Sequence, residues 1–503
     1  MLETISLENF KSFKNLHELK IKPVTILAGT NSCGKTSILQ SILLFRQSFE
    51  SQDPNQNILL NGRFVHLGTF ANLIYGKDEN ESISFTFNFR IGKDVQRLWT
   101  KGTTRYPLFL LIQYIIPEKY WHRNKEFTIR FKISFNITKG KRIDTFIKPI
   151  NINKLYLEIL DISNNKVLTS LDITEAEKNT KKYKVNLTKT ELMMDFQKRK
   201  KLNKKNINEI LELEFNKFIP YIKSNDNTDE DTRIFFHSMI SQTVRRIVDL
   251  LDQLFSTYSY IGPLREEPSR RYIYEDEIIE IGKKGENAAY IYLSKKMEDI
   301  KQQYFYNYKD HKFYQEKQIK LRAAVEKWMN EMDIYNFEPE PNNEIIYLNL
   351  NSNASIETRV NIADVGFGVS QIFPIILAGL RIPKSHTLLL EQPEIHLHPK
   401  LQMKMADFFV SLALSEKNVI VETHSDHIIN RIVRRIVEDN DHDLSKLIGI
   451  YFIKPTPNGS LIEEVKIDPM KGIVNWPDDF FDQTASEQEL IIKAGLKKRL
   501  NKQ

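Results

Sequence analysis

The chain has 503 residues, of which 41% are hydrophobic and 11% aromatic, so it can bury a sizeable core. Its 72 basic and 65 acidic residues give a formal net charge of +7, which permits contact with nucleic acid but does not require it. The single cysteine, Cys33, excludes an internal disulfide and any zinc site built from several cysteines. No signal-peptide pattern and no apolar run of about 20 residues is present, which predicts a cytoplasmic protein without a membrane-spanning segment.

A candidate phosphate-binding loop lies near the start of the chain. Short apolar runs at 5–7, 19–21 and 24–28 predict three strands, and the third leads directly into residues 29–36, GTNSCGKT. These eight residues fit the pattern G-x-x-x-x-G-K-T, and the residues that follow, 37–44, have the composition of a helix. A strand, a glycine-rich loop and a helix in this order are the context that a P-loop requires.

Each part of this segment has a predicted role in holding a nucleoside triphosphate. Glycines let the loop curl so that its N–H groups point at the phosphates, and the helix adds the positive end of its dipole. Lys35 supplies a cation that reaches the phosphates, and the Thr36 hydroxyl can ligate Mg²⁺. The predicted cofactors are therefore ATP and Mg²⁺. The other residues of this segment predicted to contact the nucleotide are Asn31, Ser32, Cys33, Gly34 and Ser37.

The middle of the chain differs in character from both ends. Repeated alternation at 127–133 and 155–159 predicts an antiparallel sheet with one solvated face. Apolar runs at 58–60 and 83–87 precede it as further predicted strands. Three stretches are compatible with helices, namely 196–222, about 232–255 and about 311–332. No heptad pattern is sustained, which argues against a long coiled coil.

Strands alternate with helices again from residue 345 onward. Apolar runs at 387–390, 418–421 and 447–452 surround a predicted helix at 399–415, a pattern typical of a parallel sheet covered on both faces. The predicted fold class is α/β, with a P-loop nucleotide-binding core of mixed sheet and flanking helices formed from both chain ends. We expect residues 1–92 and 345–503 to form this core and residues 93–344 to be a large α+β insertion.

Two of these C-terminal strands end in residues suited to phosphate chemistry. Residues 388–390 are leucines followed by Glu391, the form of a Walker B motif, so Glu391 is predicted to hold Mg²⁺ opposite Thr36. The next predicted strand runs into His424. Because the carboxyl ends of parallel strands face one crevice, His424 is expected near the γ-phosphate.

A glycine turn precedes another predicted helix at 372–380. It contains Gly366 and Gly368 and continues to Ser370, so it offers a second helix N-terminus that can bind an anion. A glycine turn before a helix is common, and this feature has little weight by itself.

Taken in order, the P-loop, the glycine turn, the Walker B acid and the histidine resemble ABC-type ATPases. The runs 391–399, EQPEIHLHP, and 422–425, ETHS, resemble the overcoming-lysogenization-defect (OLD) group of these ATPases. The opening run 8–13, ENFKSF, and the run 260–265, YIGPLR, are similar to the same group. The C-terminal run 475–482 is similar to a tail in a subgroup of stand-alone members, among which the ATPase subunits of Septu-type anti-phage systems (PtuA) are nearest. The resemblance covers about 1–90 and 345–485, and within the insertion only 258–265.

This resemblance implies a homodimer or higher homo-oligomer that closes two ATP sites between P-loops and signature loops. It assigns Gly368 to the nucleotide of the opposing subunit and His424 to the switch position. It also implies a separate HNH-type nuclease partner in anti-phage defence, because only about 80 residues follow His424, too few for a nuclease domain of the OLD type. Arg265 either approaches the nucleotide or braces the fold, and the sequence favours neither.

The sequence departs from the ABC pattern at two positions. Gln392 stands where a glutamate usually activates water, and an amide can orient water but cannot accept its proton. Hydrolysis is therefore expected to be slow, or to depend on Glu394 or His424. Gly366 aligns with the usual signature serine, and Ser370 is a candidate substitute one turn further on.

Two other functions remain open. Gln392 is also compatible with a nucleotide-sensing scaffold that has little turnover, and the general resemblance allows a DNA-repair ATPase of the RecF or SMC type. Basic clusters at 181–184 and 198–205 can follow DNA phosphates, although a solvated lysine-rich surface is the preferred interpretation.

Overall fold

The protein is described here by a computed structural model with two large β-sheets. The described residues are 1–53, 56–92, 126–137, 149–178, 180–187, 210–223, 228–273, 280–343, 345–351, 358–366, 368–477 and 487–494. One sheet has nine strands and the other has six, and three smaller sheets accompany them.

The nine-stranded sheet is antiparallel throughout, in the order β10-β9-β8-β7-β6-β5-β4-β1-β2. With strands numbered along the chain, its members are β1 Leu2–Phe10, β2 Phe13–Lys20, β4 Ile83–Ile91, β5 Phe127–Ile137, β6 Ile150–Asp161, β7 Lys166–Glu175, β8 Lys182–Leu187, β9 Ile210–Asn216 and β10 Ile219–Ile222. The antiparallel strands predicted at 127–133 and 155–159 are confirmed. The sheet runs without a break from the N-terminal strands into strands of the predicted insertion, and the division of the chain at 92 and 344 stays a prediction.

The six-stranded sheet carries the P-loop strand at its centre, in the order β11-β18-β19-β3-β20-β21. Only β21 is antiparallel to its neighbour. The strands are β3 Val24–Gly29, β11 Tyr258–Ile261, β18 Thr387–Glu391, β19 Asn418–Glu422, β20 Ile448–Thr456 and β21 Gly459–Glu464. Every residue of β3, β18 and β19 is buried, as expected for a parallel sheet covered on both faces. The predicted α/β core of mixed sheet from both chain ends is confirmed.

Helices cover both faces of this sheet. The helices of the described ranges are α1 Lys35–Glu50, α2 Glu230–Phe235, α3 Gln242–Ser256, α4 Ala288–Lys295, α5 Leu321–Glu331, α6 Gly368–Arg381, α7 Pro399–Leu414, α8 Asp426–Glu438 and α9 Leu444–Leu447. A π-helical turn, Phe236–Ser241, joins α2 to α3. Short 3-10 turns lie at Phe70–Asn72, Tyr75–Lys77 and Ile362–Asp364, and residues 487–494 are also helical. No helix in the described ranges is long and apolar enough to cross a membrane.

Three smaller sheets complete the described structure. One combines β12 Tyr272–Ile273, β15 Tyr335–Asn342, β16 Ile345–Asn351 and β17 Arg359–Asn361. The others are the hairpins of β13 Asp299–Asn307 with β14 Lys312–Lys320, and of β22 Ile467–Asp468 with β23 Gly472–Ile473.

Three predictions from the sequence are wrong. The stretch 311–332 is helical only from Leu321, because residues 312–320 form the exposed strand β14, whose polar residues hide its period. Residues 210–222 form strands β9 and β10 instead of a helix, and 188–209 lie outside the described ranges. Residues 58–60 form no strand.

Helix α1 is packed between the two large sheets. Leu27, Leu389, Ile420 and Ile453 bring one face of the parallel sheet into the same hydrophobic cluster as α1, α3 and the antiparallel sheet. The opposite face of the parallel sheet packs with α6, α7 and α8. The order of layers is therefore antiparallel sheet, α1 with α3, parallel sheet, and the remaining helices.

Phe45 holds α1 in this position. It is fully buried, and its ring centroid lies 5.1 Å from those of Phe85 and Phe87 on β4 and 5.7 Å from that of Phe255 on α3. Aromatic rings at these separations add edge-to-face and stacking energy to the area that they bury.

Removing this ring should destabilise the whole protein. Phe45→Ala is expected to lower the free energy of unfolding by about 3–5 kcal/mol, because it leaves a cavity between two sheets. Urea unfolding measures the change. Phe45→Leu should cost clearly less, and Val437→Ala on an exposed helix surface should cost almost nothing. Equal midpoints for Phe45→Ala and Val437→Ala would contradict this assignment.

Lys417 is a buried cation between the end of α6 and the β13–β14 hairpin. Its Nζ donates hydrogen bonds to Gln303 Oε1 at 3.1 Å and to the backbone oxygens of Gly379 at 3.2 Å and Leu380 at 2.7 Å. Burial lowers the pKa of Lys417 to about 7, and the charge of Lys384 acts in the same direction. The ammonium joins the β13–β14 hairpin to the end of α6 at an electrostatic cost.

This cost predicts a pH dependence of stability. The unfolded chain keeps the Lys417 proton up to a pKa of about 10.4, so between pH 7 and 10 it binds more protons than the folded chain, and stability should rise with pH. Lys417→Met should flatten this rise in urea-unfolding measurements. Lys400→Met, which changes an exposed lysine, should keep the wild-type slope, and an unchanged slope in Lys417→Met would refute the prediction.

Candidate functional site

The P-loop joins β3 to α1 and contains residues with positive φ angles. Gly29 and Gly34 have φ angles of 148° and 101°, and a Cβ on Gly34 would lie 2.1 Å from Ser12 Oγ, so only glycine fits there. Among the described residues, no side chain caps the N-terminus of α1, and its first turn contains no acid. The N–H groups at this end of the helix are therefore suited to an anion.

Lys35 is folded into this loop. Its side chain is buried, and Nζ donates to the backbone oxygens of Gly29 at 3.0 Å and Thr30 at 2.6 Å. Cys33 is fully buried, with its Sγ 3.7 Å from the same ammonium, whereas Asn31 and Ser32 are exposed. Cys33 can thus offer a ligand its backbone but not its side chain. The first turn of α1 also buries Ser37, whose N–H bonds to Gly34.

Thr36 contacts an acid that the sequence analysis did not select. Its Oγ1 donates to Glu422 Oε1 at 2.9 Å, because β19, which ends at Glu422, pairs directly with β3. Glu391 ends β18, one strand further away from the P-loop strand. The sequence signal that could have identified Glu422 is that it ends an apolar strand, just as Glu391 does.

Glu391 and Glu422 are neighbours on adjacent parallel strands. Tyr260 Oη donates to Glu391 Oε1 at 2.9 Å. Burial, followed by the charge of Glu422, raises the pKa of Glu391 to about 7, while Tyr260 and Lys11 act in the opposite direction. Burial also raises the pKa of Glu422. The pair is therefore a buried concentration of negative charge that a cation would relieve.

The residues present fit a magnesium ion delivered with a nucleotide. Glu422 Oε2 is buried and has no hydrogen-bond partner, and the Thr36 hydroxyl lies beside the same carboxylate. Mg²⁺ prefers oxygen ligands and takes only one or two carboxylates when phosphates supply the rest. This agrees with the finding that the described ranges contain no cluster of three or more histidine, cysteine or acidic side chains arranged for a metal.

Glu394 holds the segment that follows β19. Its Oε1 accepts a hydrogen bond from the His424 N–H at 2.6 Å, and its Oε2 accepts one from Thr423 Oγ1 at 2.9 Å. Burial raises the pKa of Glu394. Burial lowers the pKa of the half-buried His424, and the nearby Lys35 charge lowers it further. Both effects favour the neutral form of the imidazole.

Arg265 braces the turn after β18. Its guanidinium donates to the backbone oxygens of Glu391, Gln392 and Pro393 at 3.1–3.4 Å. The side chain is buried, and burial lowers its pKa to about 10. Gln392 has a φ of 44°, and its backbone N–H donates to the backbone oxygen of Glu422 at 2.8 Å. Of the two roles that the sequence left open, the structure shows Arg265 as a brace.

The glycine turn before α6 is partly exposed. A Cβ on Gly366 would meet nothing within 4 Å, and one on Gly368 would lie 3.6 Å from the backbone oxygen of His396. Ser370 is only 6% exposed, and its Oγ accepts a hydrogen bond from Gln371. The two glycines can thus be reached from outside, whereas the Ser370 hydroxyl faces the interior of its own chain.

Comparison with solved structures finds head domains of SMC proteins. The SMC head domain from Thermotoga maritima is 10% identical, with a TM-score of 0.34 over 93% of this chain and 99% of that chain. The Smc head domain with an extended coiled coil, bound to the C-terminal domain of ScpA and derived from Pyrococcus furiosus, is 9% identical with a TM-score of 0.36, covering 92% and 96%. An SmcHead bound to the C-winged helix domain of ScpA is 10% identical with a TM-score of 0.37, covering 93% and 98%. At these TM-scores the likeness carries no inference about activity or partners.

Comparison of sequences gives a family. A search of curated proteins found no match. The family model described as "AAA ATPase domain" matches residues 1–429, which include the P-loop, both acidic strand ends and His424. Because this match spans far more than half of the chain, the protein belongs to the AAA ATPase domain family.

Proposed function

We propose that this ATPase binds ATP with Mg²⁺ and hydrolyses it slowly, as an ABC-type subunit that dimerises through its nucleotide sites. The observation that carries the proposal is that the P-loop residues Lys35 and Thr36 lie beside the acidic ends of β18 and β19. Residues 1–92 and 345–503 would form the ATPase core around this site.

The chain's own groups can bind and orient the triphosphate. An anion at the N-terminus of α1 is a stronger acceptor than the two carbonyls that now hold the Lys35 ammonium, so Lys35 would exchange carbonyl for phosphate. N–H groups of residues 31–37 would surround the phosphates, and Thr36 with the neighbouring carboxylates would hold Mg²⁺. The metal ion would neutralise phosphate charge and position the nucleotide.

Proton transfer is the weak part of this site. Gln392 can orient the attacking water but cannot accept its proton. Both oxygens of Glu394 accept hydrogen bonds, so the proposed role of this acid is to position the His424 segment. The imidazole of His424 is the proposed acceptor near Lys35, which supports slow hydrolysis.

A nucleotide-sensing scaffold is the second candidate function. Both oxygens of Glu394 already accept hydrogen bonds, and Gln392 cannot take a proton. These two features favour a protein that binds ATP and changes its assembly state with little hydrolysis. Steady-state phosphate release separates the two candidates. Turnover above about one per minute counts against the scaffold, although it is still far below the usual range of about 1–10³ per second.

The proposed dimer uses the exposed glycines. The backbone of Gly366 and Gly368 would face the nucleotide of a second copy, and the buried Ser370 hydroxyl would contribute only after it turns outward. The resemblance of 391–399, 422–425 and 475–482 to PtuA supports an HNH-type nuclease partner and a role in anti-phage defence.

A RecF-like or SMC-like DNA-repair ATPase is the remaining alternative. It would show salt-sensitive DNA binding without any partner. In the described part of the basic clusters, Lys181 forms an ion pair with Glu214 at 3.4 Å, which favours a solvated surface. The cluster at 198–205 lies outside the described residues.

Loss of the P-loop lysine tests nucleotide binding. Lys35→Ala should weaken ATP binding by about 100-fold or more, since charge-assisted bonds to phosphate are worth roughly 1.5–3 kcal/mol each. Isothermal titration with ATP measures the affinity, and Lys400→Ala is the surface control. The same variant should lose protection against phage in cells that carry the system, and full protection by Lys35→Ala would contradict the proposed function.

Glu394 provides a separate test of turnover. Glu394→Gln should lower kcat by about 10-fold or more, because the carboxylate no longer holds the His424 N–H and Thr423 together, while ATP affinity changes little. Phosphate release and ATP titration report the two quantities. An equal loss of affinity and kcat would instead indicate general damage to the site.

A further inference from the structure

A cavity outside the nucleotide site lies between the β13–β14 hairpin and helix α5. Its volume is about 190 Å³, and its lining includes Phe305, Tyr314, Lys327, Trp328, Asn330 and Glu331. None of these residues belongs to the P-loop or to the acidic strand ends. A cavity of roughly 150 Å³ holds one benzene-sized guest, so this space suits a single flat ring system.

Three aromatic rings form one wall of the cavity. The Phe305 ring centroid lies 6.0 Å from that of Trp328 and 5.9 Å from that of Tyr314, with interplanar angles of 29° and 31°. Phe305 and Trp328 are buried, whereas Tyr314 is 39% exposed. Because buried rings hold the accessible ring of Tyr314 in place, it can stack on a planar ligand at little cost in side-chain entropy.

The end of α5 adds polar groups that the described part of the chain does not use. Within the described ranges, the Asn330 side-chain amide and the Glu331 carboxylate form no hydrogen bond or ion pair. The indole N–H of Trp328 is buried and also lacks an acceptor. Burial raises the pKa of Glu331, and the charge of Lys404 acts in the opposite direction. Buried polar groups are normally paired, so this wall has spare hydrogen-bonding capacity.

The chemistry of these groups selects among planar ligands. A carboxylate presents two acceptor oxygens side by side, and among the common bases guanine alone has two adjacent donors, N1–H and the 2-amino group, on its pairing edge. An amide such as that of Asn330 has both a donor and an acceptor, and its donor suits the neighbouring carbonyl O6. Adenine places the acceptor N1 on the same edge, which a carboxylate would repel.

We propose that this cavity binds a guanine base, which stacks on Tyr314 and donates hydrogen bonds to the Glu331 carboxylate. The site is separate from the proposed ATP site, because it uses no residue of the P-loop. The guanine belongs either to a free nucleotide or to a single-stranded nucleic acid, since both present the same base and phosphate.

Lysines beside the cavity fit the phosphate of such a ligand. Lys327 Nζ lies 5.0 Å from the Phe305 ring centroid and 5.6 Å from that of Tyr314, and it pairs with Glu316. Lys312 is exposed and lies two residues before Tyr314 on β14, so both residues are on the same face of the strand. A phosphate attached to a base on Tyr314 would therefore meet positive charge.

Titration calorimetry with guanosine monophosphate (GMP) tests the site in the full-length protein. GMP should bind about 10-fold or more tightly than AMP, because only guanine satisfies the carboxylate. Inosine monophosphate, which lacks the 2-amino group, should have an intermediate affinity. Lys35→Ala should keep the GMP affinity within about 2-fold of wild type, because a monophosphate at this cavity does not use the P-loop lysine.

Two substitutions test the assigned residues. Glu331→Gln should weaken GMP binding by about 10-fold and reduce the preference for GMP over AMP. Glu326→Gln is the matched control, since it makes the same change at an exposed position of α5 outside the cavity. Tyr314→Ala should also cost about 10-fold, whereas Tyr314→Phe keeps the ring and should keep the affinity. If Tyr314→Ala does not fold, Glu331→Gln still decides.

A short thymine strand with one guanine at its centre distinguishes the two sources. Tighter binding of this strand than of GMP identifies single-stranded nucleic acid as the ligand, and equal or weaker binding identifies a free nucleotide. The inference is overturned if neither GMP nor this strand binds, if AMP binds as tightly as GMP, or if Glu331→Gln and Glu326→Gln lose the same affinity. These outcomes leave the proposed function intact, because ATP binding at Lys35 is measured separately.

Discussion

The burial of α1 between two sheets is the constraint on which the site depends. Phe45 packs α1 against β4 and α3. The buried guanidinium of Arg46 donates hydrogen bonds to the Tyr258 backbone oxygen and to Glu280, so this buried charge has partners. A helix held on both sides cannot tilt without breaking both contacts. Its N-terminus, with Lys35 and Thr36, is therefore preorganised for an anion before any ligand arrives.

Strand order then determines which side chains meet at that N-terminus. Because β19 pairs with β3 and β18 pairs with β19, Glu422 contacts Thr36 and Glu391 lies behind it. Bringing these two carboxylates together out of water costs free energy, and Tyr260 offsets only part of it. The fold stores unfavourable electrostatics at the place where a metal–nucleotide complex would relieve them.

Much of this arrangement could be predicted from the sequence, and the failures have physical causes. Strands β3, β18 and β19 were predictable because each contains a short apolar run. The P-loop was predictable because its glycines must adopt special backbone angles. The Thr36–Glu422 contact could not be predicted, since nothing local in a strand specifies which strand lies beside it. Strand β14 was mistaken for a helix because an exposed hairpin needs few apolar residues and so shows no clear period. The sequence could not decide between the two roles of Arg265, because its bracing hydrogen bonds go to the distant backbone oxygens of Glu391, Gln392 and Pro393.

The hydrogen bonds of the three acids at the site bear on how the ATPase would work. Glu394 is held by His424 and Thr423, Glu391 by Tyr260, and Glu422 lies against Thr36. The resemblance to ABC-type ATPases puts Gln392 at the usual position of the base, and an amide cannot take a proton from water. In the proposed mechanism, binding depends on the rigid loop, whereas hydrolysis would depend on His424, whose pKa is lowered by burial. For the proposed dimer, an ATP-bound closed state would then persist long enough to act as the signal, and hydrolysis would serve mainly to reset it.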